Sequence, residues 1–404
     1  MPSVVVVGTL DTKGHEYAYL CERLRDHGVD VLVVDAGVGD PLALEPDVGR
    51  VEVARAGGGD VANLVAVGDR GAAVAAMGAG AEAVVRALHA EGRLDGIVAL
   101  GGSGGSSIAA QAMRALPVGV PKLLVSTVAS GDTRPYVGAV DVTMMYSVVD
   151  IAGLNSVSAR IIANAAAAIA AMAAAPAPRL DGKPIVGATM FGVTTPCVTR
   201  ARERLEELGY EVLVFHATGS GGRSLEALAR DGFLAGVLDV TTTELADELV
   251  GGVLSAGPHR VEAAGAAGVP QVVSVGALDM VNFGSRETVP AQFDGRNLYV
   301  HNPTVTLMRT TKEECAELGH VLGAKLAAAK AATAVFVPLG GVSMIDVPGQ
   351  PFHDPEADEA LVAALKEELA GRVELHELPE DVNDPQFALA MADRLHELID
   401  ARPA

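Results

Sequence analysis

The chain is predicted to be an α/β protein of two Rossmann-like lobes, each a doubly wound parallel sheet, with a cleft between them. Three observations predict it. Short apolar runs rich in β-branched residues recur along the chain, each run is followed by a stretch with helical spacing, and the pattern restarts near residue 184. Strands that are apolar on both faces and separated by helices belong to a parallel sheet covered on both sides.

The elements follow in order. "SVVVVG" (3–8) is a strand, "EYAYLCERLRDHG" (16–28) a helix stopped at Gly28, and "VDVLVVDAG" (29–37) a second strand. A helix near 81–92, a strand at 96–100, a helix at 105–116 and a strand at 121–126 continue the alternation. "IIANAAAAIAAMAAAPAP" (161–178) is mostly alanine, which favours helix but buries little surface, and it falls short of a membrane span. The reading is a closely packed helix followed by a linker. After "APAPRLDGKP" (175–184), the segment 184–219 repeats the strand–turn–helix–strand order of 3–37, and 223–252 repeats that of 81–112. The lobes are therefore placed at 1–178 and 179–404. "GALDMVNFGSRETVP" (276–290) and "YVHNPTVTLMRTT" (299–311) lack periodicity and are read as long functional loops carrying Asp279, Asn282, Arg286, His301, Asn302 and Arg309.

Composition narrows the function classes. With 30 Lys+Arg against 51 Asp+Glu the formal charge is −21, which repels nucleic-acid phosphates and anionic membranes. Cys21, Cys197 and Cys315 are far apart and match no metal spacing, as expected of reduced thiols in a cytoplasmic protein. No basic segment precedes the first strand, so no secretion signal is expected. Serine-hydrolase elbows, H-E-x-x-H and C-x-x-C are absent.

Ligands of doubly wound sheets bind beyond the carboxyl ends of the strands, where loops meet helix N-termini. The loop "GGSGGSS" supplies Gly101, Gly102, Ser103, Gly104, Gly105 and Ser106. It admits two readings, a phosphate cradle or a tight strand–helix turn, and it matches neither G-x-x-x-x-G-K-[ST] nor G-x-G-x-x-G. "GTLDTKG" offers Thr9, Asp11, Thr12 and Lys13. Lys13 would bring the positive charge that the glycine loop lacks, and Asp11 would hold a divalent metal, or both Asp11 and the threonines simply cap a helix. "GAGAEA" (78–83) fits G-x-G-x-x-A but has no preceding strand, and a nicotinamide cofactor is set aside. Asp132 and Arg134 follow the strand at 121–126. In the second lobe Thr194, Thr195, His216, Thr241, Thr242, Thr243 and Glu244 occupy the equivalent loops, as helix caps or as ligand-facing groups.

Together "GTLDTKG", "GGSGGS", "ASGDTRPYVG", "MMYSVVDIAGLNSVSARIIANAA", "TMFGVTTPCV", "HATGSGG", "LDVTTTE", "GALDMVNFG" and "HNPTVTLMRTT" resemble the ATP-binding family typified by the N-terminal part of the tomato mosaic virus resistance protein. The resemblance runs through nearly the whole chain. It implies ATP binding, two Rossmann-like lobes and self-association as a homodimer or higher oligomer. It also suggests a barrel-domain partner, which plant relatives carry on the same chain. Ser106 stands where the family is expected to use threonine often.

The resulting expectation is a cytoplasmic ATP-binding protein, with Mg²⁺ at Asp11 and nucleotide held by Thr9, Asp11, Thr12, Lys13 and Gly101–Ser106. If it is an enzyme, phosphoryl transfer to a small anionic metabolite would use Asp11, Lys13, Asp132 and Glu244. Substrate would then be held by Arg134, Thr194, Thr195, His216 and Thr241–Thr243. The alternatives are a non-catalytic nucleotide-binding module and an ATP-independent lyase or hydrolase of small oxo-acids.

Overall fold

The computed structural model describes residues 1–176 and 182–401. Contacts divide the chain into Met1–Arg179 and Leu180–Ala404. The boundary between 178 and 179, and the middle of the linker at 175–184, lie outside the described residues.

In the first lobe the strands are β1 (Ser3–Gly8), β2 (Asp30–Asp35), β3 (Gly96–Gly101), β4 (Lys122–Ser126) and β5 (Thr143–Tyr146). All pair in parallel, in the order β2-β1-β3-β4-β5. Their helices are α1 (Leu10–Asp26), α2 (Arg50–Ala56), α3 (Val61–Val67), α4 (Arg70–Ala90), α5 (Ser103–Arg114), α6 (Arg134–Val137) and α7 (Ser156–Ala174). Successive side chains of a strand point to opposite faces, so the valine run feeds two cores. Val5 and Val7 pack with Met77, Ala81 and Ile108 from α4 and α5. Val4 and Val6 pack with Leu20 and Leu24 of α1 and with Ile162 and Ile169 of α7. All four valines are fully buried, each contributing about 1.5–3 kcal/mol of apolar burial.

Helix α7 starts earlier than the alanine run suggests, because Asn155 caps it: its Oδ1 accepts from Val157 N and Ser158 N at 3.0 Å each. By length and composition α4 and α7 are the two described helices that could cross a membrane, and each packs one face on the sheet. "GAGAEA" lies inside α4, which fits no nucleotide turn.

The second lobe repeats the plan. Its strands are β6 (Ile185–Met190), β7 (Glu211–His216), β8 (Gly236–Thr241), β9 (Gln271–Gly276), β10 (Met280–Phe283), β11 (Leu298–Asn302), β12 (Val305–Arg309), β13 (Thr333–Pro338) and β14 (Glu374–Leu378). Six form a parallel sheet in the order β14-β13-β9-β8-β6-β7. The helices are α8 (Thr195–Glu207), α9 (Ser220–Arg230), α10 (Glu244–Val250), α11 (Ala263–Ala267), α12 (Lys312–Ala327), α13 (Pro355–Leu369) and α14 (Pro385–Asp400). One face of the sheet packs on α8 and α14, the other on α10, α12 and α13.

The stretches 276–290 and 299–311 are not free loops. They contain β10, β11 and β12, an antiparallel sheet in the order β10-β12-β11. Asp279, Asn282 and Arg309 are buried within it or beside it, whereas His301 and Asn302 end the exposed strand β11.

Candidate functional site

In the first lobe the chain runs from β1 outward to β2 and then returns to place β3 on the other side of β1. The loops leaving β1 and β3 therefore diverge, and a crevice opens between them at the carboxyl edge of the sheet. A cavity of about 820 Å³ occupies this position. Thr9, Asp11, Thr12 and Lys13 line it from the end of β1, Gly102, Ser103, Gly104 and Gly105 from the start of α5, and Thr127 from the end of β4. Its size is that of a small-molecule site.

The glycines of the loop fall into two kinds. A Cβ on Gly101 would lie 2.6 Å from Ser106 N, so the fold itself requires glycine there. Ser106 is buried beneath the loop, its Oγ 2.6 Å from Ser126 Oγ and donating to Gly101 O at 3.3 Å. Gly101 and Ser106 are thus internal supports and do not line the cavity. By contrast, a Cβ on Gly102, Gly104 or Gly105 would approach nothing closer than 3.8, 3.6 and 3.7 Å respectively, and none of the three has a positive φ. Neither packing nor backbone conformation explains these glycines. Gly104 and Gly105 in the first turn weaken the helix by about 0.5–1 kcal/mol each relative to alanine. What they do is leave the first-turn N–H groups of α5, which lack helical acceptors, open to the cavity.

On the β1 side the capping reading is not what the structure shows. Thr9 is the N-cap of α1 without a side-chain cap bond; its Oγ1 lies 3.0 Å from Thr12 Oγ1. Asp11 Oδ2 accepts from Val38 N at 3.2 Å and Gly39 N at 2.8 Å, pinning the loop after β2, while Oδ1 is buried without a partner. Lys13 has non-helical angles (φ −132°, ψ 23°) inside α1, and its Nζ donates to Ile151 O. Behind Asp11, Asp35 accepts from Gly37 N at 2.9 Å and Leu10 N at 3.2 Å. Burial pushes its carboxyl upward, against those two N–H groups, and the neighbouring charge of Asp11 adds to the rise. Tyr17 ties the two strand ends together, its hydroxyl lying 3.0 Å from Val7 O and 2.6 Å from Leu100 O and accepting from Leu100 N at 2.9 Å.

Sequence reasoning missed Arg70, Asp69 and Asp150, which also line the cavity. Arg70 opens α4 after the N-cap Asp69, a helix start legible in the sequence, but its approach to the glycine loop is a tertiary fact. Asp132 and Arg134 do not line the cavity; they pair with each other at 2.7 Å on the surface, and the guanidinium holds the Asp132 carboxyl down at about 2.

The second lobe treats its equivalent crevice differently. Thr194 Oγ1 lies 2.8 Å from Thr241 Oγ1, Thr242 Oγ1 donates to Ser274 O at 3.0 Å, and Thr243 Oγ1 to Met280 O at 3.3 Å. These four threonines are fully buried. Thr195 donates to Phe191 O at 3.1 Å, and exposed His216 packs its ring 5.4 Å from that of Phe191. Glu244 is also fully buried: Oε1 accepts from Gly219 N at 2.6 Å and Gly222 N at 3.1 Å, at the start of α9, and Oε2 from Arg260 Nε at 2.6 Å. Arg260 also pairs with Asp239 and Glu226, and Asp239 accepts from Thr189 Oγ1 at 2.6 Å. As placed, Thr194, Thr241, Thr242, Thr243 and Glu244 serve the interior of the lobe and reach no surface. Within the first lobe the structure brings the β1 and β3 loops to one cavity and leaves Asp132 and Arg134 outside it.

The family model described as "Uncharacterised protein family (UPF0261) N-terminal domain" matches residues 2–178, and the corresponding C-terminal domain matches 183–399. A UPF0261 protein of Clostridium tetani is 54% identical over 399 residues, covering 98% of this chain and 99% of the relative. Another, from Rhizobium meliloti, is 50% identical over 96% of this chain and 97% of its own length. The ToMV resistance protein Tm-1(GCR237) of Solanum lycopersicum is 41% identical over 98% of this chain, which spans 56% of that protein.

Proposed function

Because the chain belongs to the UPF0261 family through both of its lobes, we propose from its own geometry that the first-lobe crevice binds ATP. The observation that carries this reading is the set of three glycines, Gly102, Gly104 and Gly105, that neither packing nor φ explains and that line an 820 Å³ cavity at a helix N-terminus. A Cβ at these positions would reduce access to backbone N–H groups suited to phosphate oxygens. The ammonium of Lys13 adds charge to the same cavity. Its donation to Ile151 O uses one of its three donors.

Mg²⁺ fits at Asp11, whose Oδ1 is buried and unpartnered. Among the described residues no three His, Cys, Asp or Glu side chains converge as a metal cluster. Magnesium held by one carboxylate and the phosphates themselves suits such a donor set. Bound there, the ion would supply neutralisation of phosphate charge. Val38 N and Gly39 N hold the Asp11 carboxylate in place, and Asp35 Oδ1 fixes Leu10 N and Gly37 N on either side. The reading extends, on the family resemblance, to self-association and a cytoplasmic location. Phosphoryl transfer to a small metabolite is the chemistry such a site favours if turnover occurs.

Calorimetry of the full chain with ATP and Mg²⁺ tests the proposal. Saturable binding, weakened about tenfold or more in Lys13→Ala, is expected. No saturable heat from the folded wild-type protein would overturn it. Release of ADP during incubation with a metabolite pool would separate an enzyme from a binding module.

A further inference from the structure

Resting on the nucleotide reading above, we infer that Arg70 is the polyphosphate-reading residue of the first-lobe site, the cation that makes the glycine loop select di- and triphosphates over monophosphates. Three observations carry it. Arg70 lines the same cavity as the loop. Its Nη2 lies 3.6 Å from where a Cβ of Gly104 would stand, at the first turn of α5. Among the described residues it forms no ion pair or hydrogen bond, whereas Arg50 pairs with Asp40 and Arg114 donates to Pro135 O.

The local structure explains why this guanidinium is available. Asp69 is the nearest carboxylate in sequence, but its Oδ1 accepts from Gly71 N at 2.8 Å and Ala72 N at 3.1 Å as the cap of α4. The cap fixes the first turn of α4 and draws the acid away from Arg70. The other carboxylates lining the cavity are Asp11, turned to Val38 N and Gly39 N, and Asp150, whose Oδ1 accepts from Ile151 N at 2.8 Å. An unpaired arginine beside open backbone N–H groups, in a chain of formal charge −21, is suited to an anion with several oxygens. Lys13 enters from the β1 loop and is tethered to Ile151 O; Arg70 enters from α4 and has its five donors free. A ligand with two or more phosphate groups offers a separate anionic group to each of the two cations. The glycine loop's missing lysine is thus answered by two residues, one of them an arginine supplied by the preceding helix.

Binding of ATP, ADP, AMP and adenosine to wild type, Arg70→Ala and Arg70→Lys, in Mg²⁺ at two salt concentrations, tests the assignment. Arg70→Ala is expected to weaken ATP on the order of 10–100-fold and AMP by less than about threefold, to leave adenosine unchanged, and to flatten the salt dependence for ATP. Arg70→Lys recovers part of the loss, since the charge returns without the planar fork. Arg70 is exposed and Asp69 supplies the cap, so the thermal unfolding curve of the variants is expected to match wild type. Equal losses for ATP, AMP and adenosine would show that Arg70 packs on the base and would overturn the inference. So would ATP affinity indifferent to Arg70→Ala. Wild-type protein that binds none of the four would overturn the nucleotide reading itself, and this inference with it.

Discussion

Substituting Gly104 by alanine sets the demands of the fold against those of the ligand. The new Cβ would stand 3.6 Å from Arg70 Nη2 and 3.8 Å from Val74 Cγ2, ordinary contact distances, at a helical position without positive φ. Alanine in a helix is better than glycine by about 0.5–1 kcal/mol. In a lobe of this size that corresponds to a midpoint about 1–4 °C higher. The same methyl group fills space beside the first-turn N–H groups and Arg70. On the proposed nucleotide reading, loss of one charge-assisted hydrogen bond to phosphate there is expected to weaken ATP on the order of 10–100-fold. Gly101→Ala, three residues away, is the control: its Cβ would meet Ser106 N at 2.6 Å, and overpacking of this kind costs about 1–3 kcal/mol. Differential scanning calorimetry and ATP titration of both variants read the two effects separately. A lowered midpoint for Gly104→Ala, or ATP affinity within threefold of wild type, would refute the reasoning.

Two further outcomes concern the second lobe. Arg260→Leu, which leaves Asp239, Glu244 and Glu226 buried without their cation, is expected to destabilise the lobe by about 3–5 kcal/mol, measured by urea unfolding. Burial raises the Asp247 carboxyl to about 7, against hydrogen bonds from Asn282 and Leu254 and with the charge of Glu244 adding to the rise. Its folded pKa therefore exceeds the unfolded one, the native state binds the extra proton, and stability falls as pH rises from about 4 to about 7. The slope is at most about 1.4 kcal/mol per pH unit for one group, and Asp247→Asn is expected to flatten it in unfolding curves taken across that window.

Strands β1 to β4 and β6 to β8 were legible because a doubly covered strand must be apolar on both faces, as "VVVV" at 4–7 is, whereas β5, β9, β13 and β14 of the same sheets were not read. The antiparallel sheet was not. Asp279, Asn282, Thr306 and Arg309 are buried polar residues, with Asp279 bonded to Ser343, Asn282 to Asp247 and Arg309 to Asp346, and they erase the alternation by which a strand is recognised. The glycine loop was legible as a turn at a strand end, but composition cannot separate Gly101, held by Ser106, from Gly104, which touches nothing closely. Only distances do that. The internal bonds of the threonines at 194 and 241–243 were not legible for the complementary reason: a hydroxyl that faces a ligand and one that faces another hydroxyl or a backbone carbonyl are the same letter.

Glu244 carries a consequence for how the two lobes depend on their surroundings. Its carboxylate sits on Gly219 N and Gly222 N, so the second lobe carries the anion for its own helix terminus as part of the polypeptide, at fixed stoichiometry. The first lobe has the same strand order around its crevice and builds no such side chain into the Gly102–Gly105 turn. A solute that binds only the folded first lobe raises that lobe's stability by mass action, while the second lobe gains nothing directly from the same solute. If the first-lobe crevice binds nucleotide as proposed, resistance of that lobe to unfolding and proteolysis rises with nucleotide concentration.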